Sequence, residues 1–157
     1  MIKIYKNPNG DTRTAPENVS YEEFQKANDM HKQDIENVMN EIAYEIMIKG
    51  REHDWTKKAN EELFYNEFKD TIENSSNFVE GKWYKDHVRI EKHHLFSNCH
   101  DDITLLDVIE MIVDCVCAGK ARSGKVNDLK LSNEILQLAF NNTVKFVDNM
   151  TKLDELE

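Results

Sequence analysis

Apolar residues recur along most of this chain at three- and four-residue steps, the period of helices that bury one face. The clearest run follows Ser20, in "SYEEFQKANDMHKQDIENVMNEIAYEIMIKG", where Ile35, Val38, Met39, Ile42 and Ile46 form such a stripe. Ser20 and Glu23 have the spacing of a capping box, and Gly50 stands where a helix C-cap is expected. "KKANEELFYNEFKDTIENS" predicts a second helix, and after the break at Gly81 a third covers about Lys82 to Phe96. "DITLLDVIEMIVDCVCAGKARSG" is the most apolar segment and predicts the central helix. The closing "NDLKLSNEILQLAFNNTVKFVDNMTKL" predicts one or two packing helices. Only the opening differs: "MIKIYKNPNGD" alternates with a period of two and then meets Asn-Pro-Asn-Gly, a turn signal. The pattern predicts a single all-α domain, a helical bundle over residues 20–157, with a short extended arm or hairpin over 1–19.

Composition narrows the class. At 157 residues the chain can bury a core without disulfides or a structural metal, and five glycines with two prolines suit a compact helical protein. Twenty basic against thirty acidic residues give a net charge of −10. That balance lacks the basic footprint of a nucleic-acid binder, so a polymer partner is not expected. Cys99, Cys115 and Cys117 have no disulfide or zinc-finger spacing and read as reduced thiols. The N-terminus has no signal-peptide core, and no apolar run approaches the roughly 18 residues of a membrane span. A cytoplasmic protein without a membrane partner is expected.

The candidate chemistry begins on the central helix. Asp107, Glu110 and Asp114 fall on one stripe at i, i+3 and i+7. Carboxylates on so apolar a helix are costly unless paired or metal-bound, although the stripe alone also suits a solvent face. Of the six histidines, His31 lies mid-helix, His53 adjoins Asp54 in "REHDWTK", and His87, His93 and His94 crowd one predicted helix. His87, Glu91 and His94 would share a face of it, with His93 off that line. Imidazoles with carboxylates are the usual ligands of iron, manganese, cobalt, nickel or zinc.

Taken in order, His31, His53-Asp54, His87, His93-His94 and Asp114 resemble the HD-domain superfamily of metal-dependent phosphohydrolases. The resemblance implies that His31, His53, Asp54 and Asp114 hold a first metal. In binuclear members the doublet's Asp bridges, which would place His87 and one of His93 or His94 on a second metal, with Asp54 between them. More narrowly, "HDWTK", "H-x5-HH" and "LLDVIEMIVD" are similar to a small uncharacterised HD-like family of bacteria and phages. A phage-encoded member would work in the host cytoplasm. Thr56 replaces that family's usual Ser, Cys115 its common Trp, and Leu95-Phe96 its Pro-Glu.

The resemblance implies a phosphohydrolase with one or two divalent transition metals, acting on a small phosphorylated substrate, in first place a nucleotide or cyclic nucleotide. Lys57 is positioned to neutralise charge on a phosphoryl group, and Lys120 and Arg122 are further phosphate-binding candidates. Glu110 is expected to orient a ligand histidine or position water, with Asp107 and Glu91 in lesser supporting roles. Trp55 and Trp83 could stack on a base or serve packing. Two other classes fit the same residues: a di-iron oxygenase of HD type, and a non-catalytic interaction module stabilised by metal. A homo-oligomer is compatible with all three.

Overall fold

The computed structural model describes residues 1–154. The fold class is all-α, with one pair of short strands. The chain divides into two compact units, one formed by Met1–Glu45 with the segment from Val144 onward, the other by Ile46–Thr143. Among the described residues no helix is long and apolar enough to cross a membrane.

In the first unit the expected N-terminal strand forms as β1 (Ile2–Tyr5). It is not a free arm. It pairs in parallel with β2 (Thr151–Asp154), Ile2 opposite Thr151 and Tyr5 opposite Asp154, and Lys3 meets Asp154 at 2.9 Å. The Asn-Pro-Asn-Gly turn then lays Gly10 against α1 (Tyr21–Glu52), where an added Cβ would come 3.3 Å from the Ala27 Cβ. Helix α1 starts at the predicted box: the Glu23 N–H donates to Ser20 Oγ at 3.2 Å, and the Ser20 N–H to Glu23 Oε2 at 2.8 Å.

The second unit begins on the last turns of α1, which correct the expected end at Gly50. Gly50 lies inside the helix, and a Cβ added there would meet nothing within 4 Å, so no left-handed cap is needed. The turn falls at Asp54, whose φ of 56° is left-handed. The predicted second helix is two: α2 (Trp55–Ala59) and α3 (Glu61–Asn74), divided at Asn60. Next, α4 (Lys82–Ile90) stops short of Phe96, because Glu91 turns to extended backbone with ψ 108°. Residues 91–98 instead fold into a run of tight turns, with the Leu95 N–H donating to His93 O at 2.9 Å and the Asn98 N–H to His94 O at 2.9 Å.

Burial explains that segment. Leu95 and Ile103 drop into the core beside Val108, Met111 and Ala139, pinning the connection at both ends. Helix α5 (Leu105–Ser123) supplies Val108 and Met111, and α6 (Asn133–Met150) supplies Ala139. Helix α5 opens with a capping box, Thr104 donating from its N–H and hydroxyl to Asp107 Oδ2 at 2.6 and 2.7 Å, and closes on left-handed Gly124. The one or two closing helices expected from the periodicity are one helix and a strand.

Candidate metal centre

Adjacent side chains on a helix diverge by about 100°, so the His53-Asp54 doublet converges only because the chain leaves α1 there. Asp is among the few non-glycine residues that tolerate the left-handed conformation. It aims the carboxylate of Asp54 at imidazoles from two directions. His53 Nε2 lies 3.3 Å from Asp54 Oδ2, His93 Nε2 3.6 Å from Oδ1, and His87 Nε2 3.4 Å from Oδ1. His94 Nε2 sits 2.7 Å from His87 Nε2. Two groups result, His53-Asp54-His93 and Asp54-His87-His94, each with its ligand atoms within 4.8 Å of one another. Asp54 belongs to both. Asp114 joins the first side, its Oδ1 3.6 Å from His53 Nε2.

Each group has a carboxylate behind it. Glu110 Oε1 lies 3.0 Å from His53 Nδ1 and 3.2 Å from His93 Nδ1, so one side chain backs both rings and leaves each Nε2 toward Asp54. Lys49 secures Glu110 at 3.1 Å and Asp107 at 2.6 Å. For His87 the support is Thr56. Its hydroxyl donates to Glu91 Oε1 at 2.8 Å, leaving its oxygen to accept from the His87 Nδ1–H at 2.6 Å. That fixes the His87 tautomer with a lone pair on Nε2. His94 then faces it with its own Nε2–H, and a cation between the two rings would require that proton on Nδ1 instead. Trp83 stacks on His87 at 4.7 Å and on Phe64 at 4.1 Å, holding the ring in place.

The electrostatics divide the histidines. Burial, together with the positive charge of neighbouring imidazoles, pushes His87 and His94 down to about 4, leaving both neutral at pH 7. Burial also opposes the charge on His93, but Asp54 and Glu110 outweigh it and hold that ring up to about 9. For Asp54 and Glu110, burial works against ionisation, yet contacts with His93, with Lys57 at Asp54, and with His53 at Glu110 hold both below the usual carboxylate range. Lys57 contacts Asp54 Oδ2 directly.

The residues fit divalent metal. Asp54 Oδ1 and both ring nitrogens of His93 are buried without a hydrogen bond, although carboxylates and imidazoles surround them. Buried polar atoms left unpaired are costly, and a cation taking the place of the His93 Nε2 proton would satisfy that nitrogen and Asp54 Oδ1 together, while His93 Nδ1 faces Glu110.

A family model described as a family of unknown function, DUF5662, matches residues 20–153. The chain belongs to that family. No curated protein and no solved structure matches it. The DUF5662 match spans every ligand candidate, and the structure distributes them unevenly. His53, Asp54, His87, His93, His94 and Asp114 come together. His93 falls in one group and His94 in the other, each together with Asp54. His31 lies exposed on the part of α1 in the first unit and belongs to neither group. Glu91 and His94 do not share a helical face with His87, because α4 has already ended. Asp107 caps α5 rather than facing a ligand, while Glu91 acts through Thr56. Lys120 and Arg122 are exposed in the last turn of α5. Trp55 is also exposed. Thr56 and Lys49 carry supporting roles that their residue types do not announce; for Thr56 the one sequence signal is its place in "HDWTK", two residues past the Asp.

Proposed function

We propose that this DUF5662 protein is a metal-dependent phosphohydrolase acting on a small phosphorylated substrate. The observation that carries the reading is one carboxylate, Asp54, shared between two pairs of imidazoles and touched by a lysine. Divalent cations held by those groups would supply Lewis acidity toward a phosphoryl oxygen and lower the pKa of water. The residues that would hold them are His53, His93, Asp54 and Asp114 on one side, and His87, His94 and Asp54 on the other.

The chain's own groups have distinct tasks in this reading. Glu110 and Thr56 hold the imidazoles so that their Nε2 atoms converge, which removes reorganisation from the reaction. Lys57, already at the shared carboxylate, would turn toward the non-bridging oxygens of the phosphoryl group and neutralise charge developing there. In the hydrolysis, water oxygen bonds to phosphorus, the bond from phosphorus to the leaving oxygen breaks, and the leaving oxygen takes up the proton that the water gives up. The nucleotide substrate expected from the sequence rests on the resemblance to HD-domain enzymes.

The test is a panel of nucleotides, cyclic nucleotides and simple phosphate esters, assayed for phosphate or alcohol release with manganese, cobalt, nickel, zinc or ferrous iron. Metal-dependent turnover that disappears in Asp54→Asn supports the proposal. Oxygen consumption by the iron-loaded protein with no turnover of any ester would replace it with the oxygenase reading.

A further inference from the structure

A cavity of about 310 Å³ opens beside the first ligand group, between the last turns of α1 and one face of α5. Its walls include the aliphatic side chains of Ile46, Leu106, Ile109 and Val113. Its polar members are Lys49, His53, Glu110 and Asp114, and most are already engaged. Lys49 is matched by two carboxylates, Asp107 and Glu110, and His53 Nδ1 faces Glu110 at 3.0 Å. Asp114 faces His53 Nε2 at 3.6 Å, on the ligand side of the cavity. Beyond the ligand side chains, an anion entering here would meet aliphatic walls and no lysine or arginine left unmatched. The second ligand pair, His87 and His94, does not line this space.

We infer that this cavity binds an uncharged, apolar portion of the substrate, so that the substrate class is the phosphate ester of an apolar alcohol. This rests on the phosphohydrolase reading and narrows it. The volume is at the lower end for small-ligand sites, which run from roughly 300 to 1,000 Å³, and it suits a short alkyl chain or a single ring. A nucleobase would set its ring nitrogens and exocyclic groups against aliphatic walls, where lost hydrogen bonds oppose binding. The phosphoryl group belongs on the Asp54 side, near Lys57, with the hydrocarbon extending past His53 and Asp114 between α1 and α5.

The experiment is calorimetric titration of the zinc-loaded protein with methyl-, butyl- and hexylphosphonic acid, which cannot be hydrolysed at the phosphorus–carbon bond. Affinity should rise roughly three- to fourfold per added methylene until the cavity is full, and Ile109→Asp should flatten that series. Ile109 is partly exposed, so the acid there need not unfold the chain, and circular dichroism checks it. An affinity independent of chain length, or a chain-length gain that survives Ile109→Asp, overturns the inference. Zinc-dependent binding of methylphosphonate reports separately on the metal centre. If methylphosphonate does not bind, 1-hexanol followed through the isoleucine and valine methyl NMR signals still reads the cavity. Selective shifts at Ile46, Ile109 and Val113 support it, and their absence overturns it.

Discussion

Replacing Thr56 by Val isolates the support of a single ligand. Thr56 is only 2% exposed, and its hydroxyl joins His87 to Glu91 through contacts of 2.6 and 2.8 Å. Valine keeps the shape and removes both bonds. The donation to a carboxylate is worth about 1.5–3 kcal/mol, and stranding the buried His87 N–H costs about 1–3 kcal/mol. Glu91 keeps the Thr56 backbone N–H at 3.1 Å, so the lower half of the summed range applies, about 3 kcal/mol. For a domain of this size that lowers Tm by roughly 6–12 °C. Freed from its acceptor, His87 can adopt the other tautomer, and loss of such outer support typically costs about 10–100-fold in metal affinity. Thermal unfolding of the metal-free protein and calorimetric zinc titration measure the two effects, with Thr56→Ser as the variant that restores both. A Thr56→Val protein within about 0.5 kcal/mol of the parent, with unchanged zinc affinity, would refute the reasoning.

Other outcomes follow from the same network. Glu110→Gln removes the charge behind His53 and His93, so the His93 ring, held up to about 9, should titrate lower in an NMR pH series; an unmoved midpoint would count against the pairing. Stability of the metal-free protein should peak near pH 6.5. His87 and His94 titrate at about 4 when folded, below the unfolded value, so their contribution is complete above pH 6.5 and is lost as pH falls toward 4. His93 is raised to about 9, so its contribution is complete below pH 6.5 and is lost as pH rises through 9. Urea unfolding from pH 4 to 10 checks this, and a flat profile contradicts it. Lys57→Met should leave metal content intact while lowering kcat on any turned-over ester by about 10²–10³-fold, the range seen when one charge-stabilising donor is removed. Equal loss of both would make Lys57 a structural partner of Asp54.

The sequence was most legible where chemistry is local. The Ser20–Glu23 box needs only neighbouring residues, and both of its expected bonds form. Thr104 and Asp107 form a second box that residue type conceals, because Asp107 also fits a stripe of metal-facing acids. Helix ends set by tertiary contacts were harder. Gly50 suggests a stop, but the chain turns at Asp54, where the left-handed residue serves convergence of the doublet. The break after Ile90 is fixed by Leu95 and Ile103 reaching a core formed with α5 and α6, which no local pattern encodes. Likewise β2 is four residues pairing with a strand at the other end of the sequence. Most ligand candidates could be named from residue type and order. Their division into two groups depends on turns after α4, and so lay outside what periodicity reveals.

The central claim is that Asp54 joins two groups of imidazoles around bound metal. Metal content per chain, measured by plasma mass spectrometry on the parent protein and on Asp54→Asn after the same reconstitution, tests it most directly. Asparagine tolerates the left-handed backbone at this position, so the substitution removes the charge with little strain. About two divalent ions per chain are expected in the parent and loss of both in the variant, with the circular dichroism spectrum unchanged. Equal metal content in the two proteins would contradict the claim.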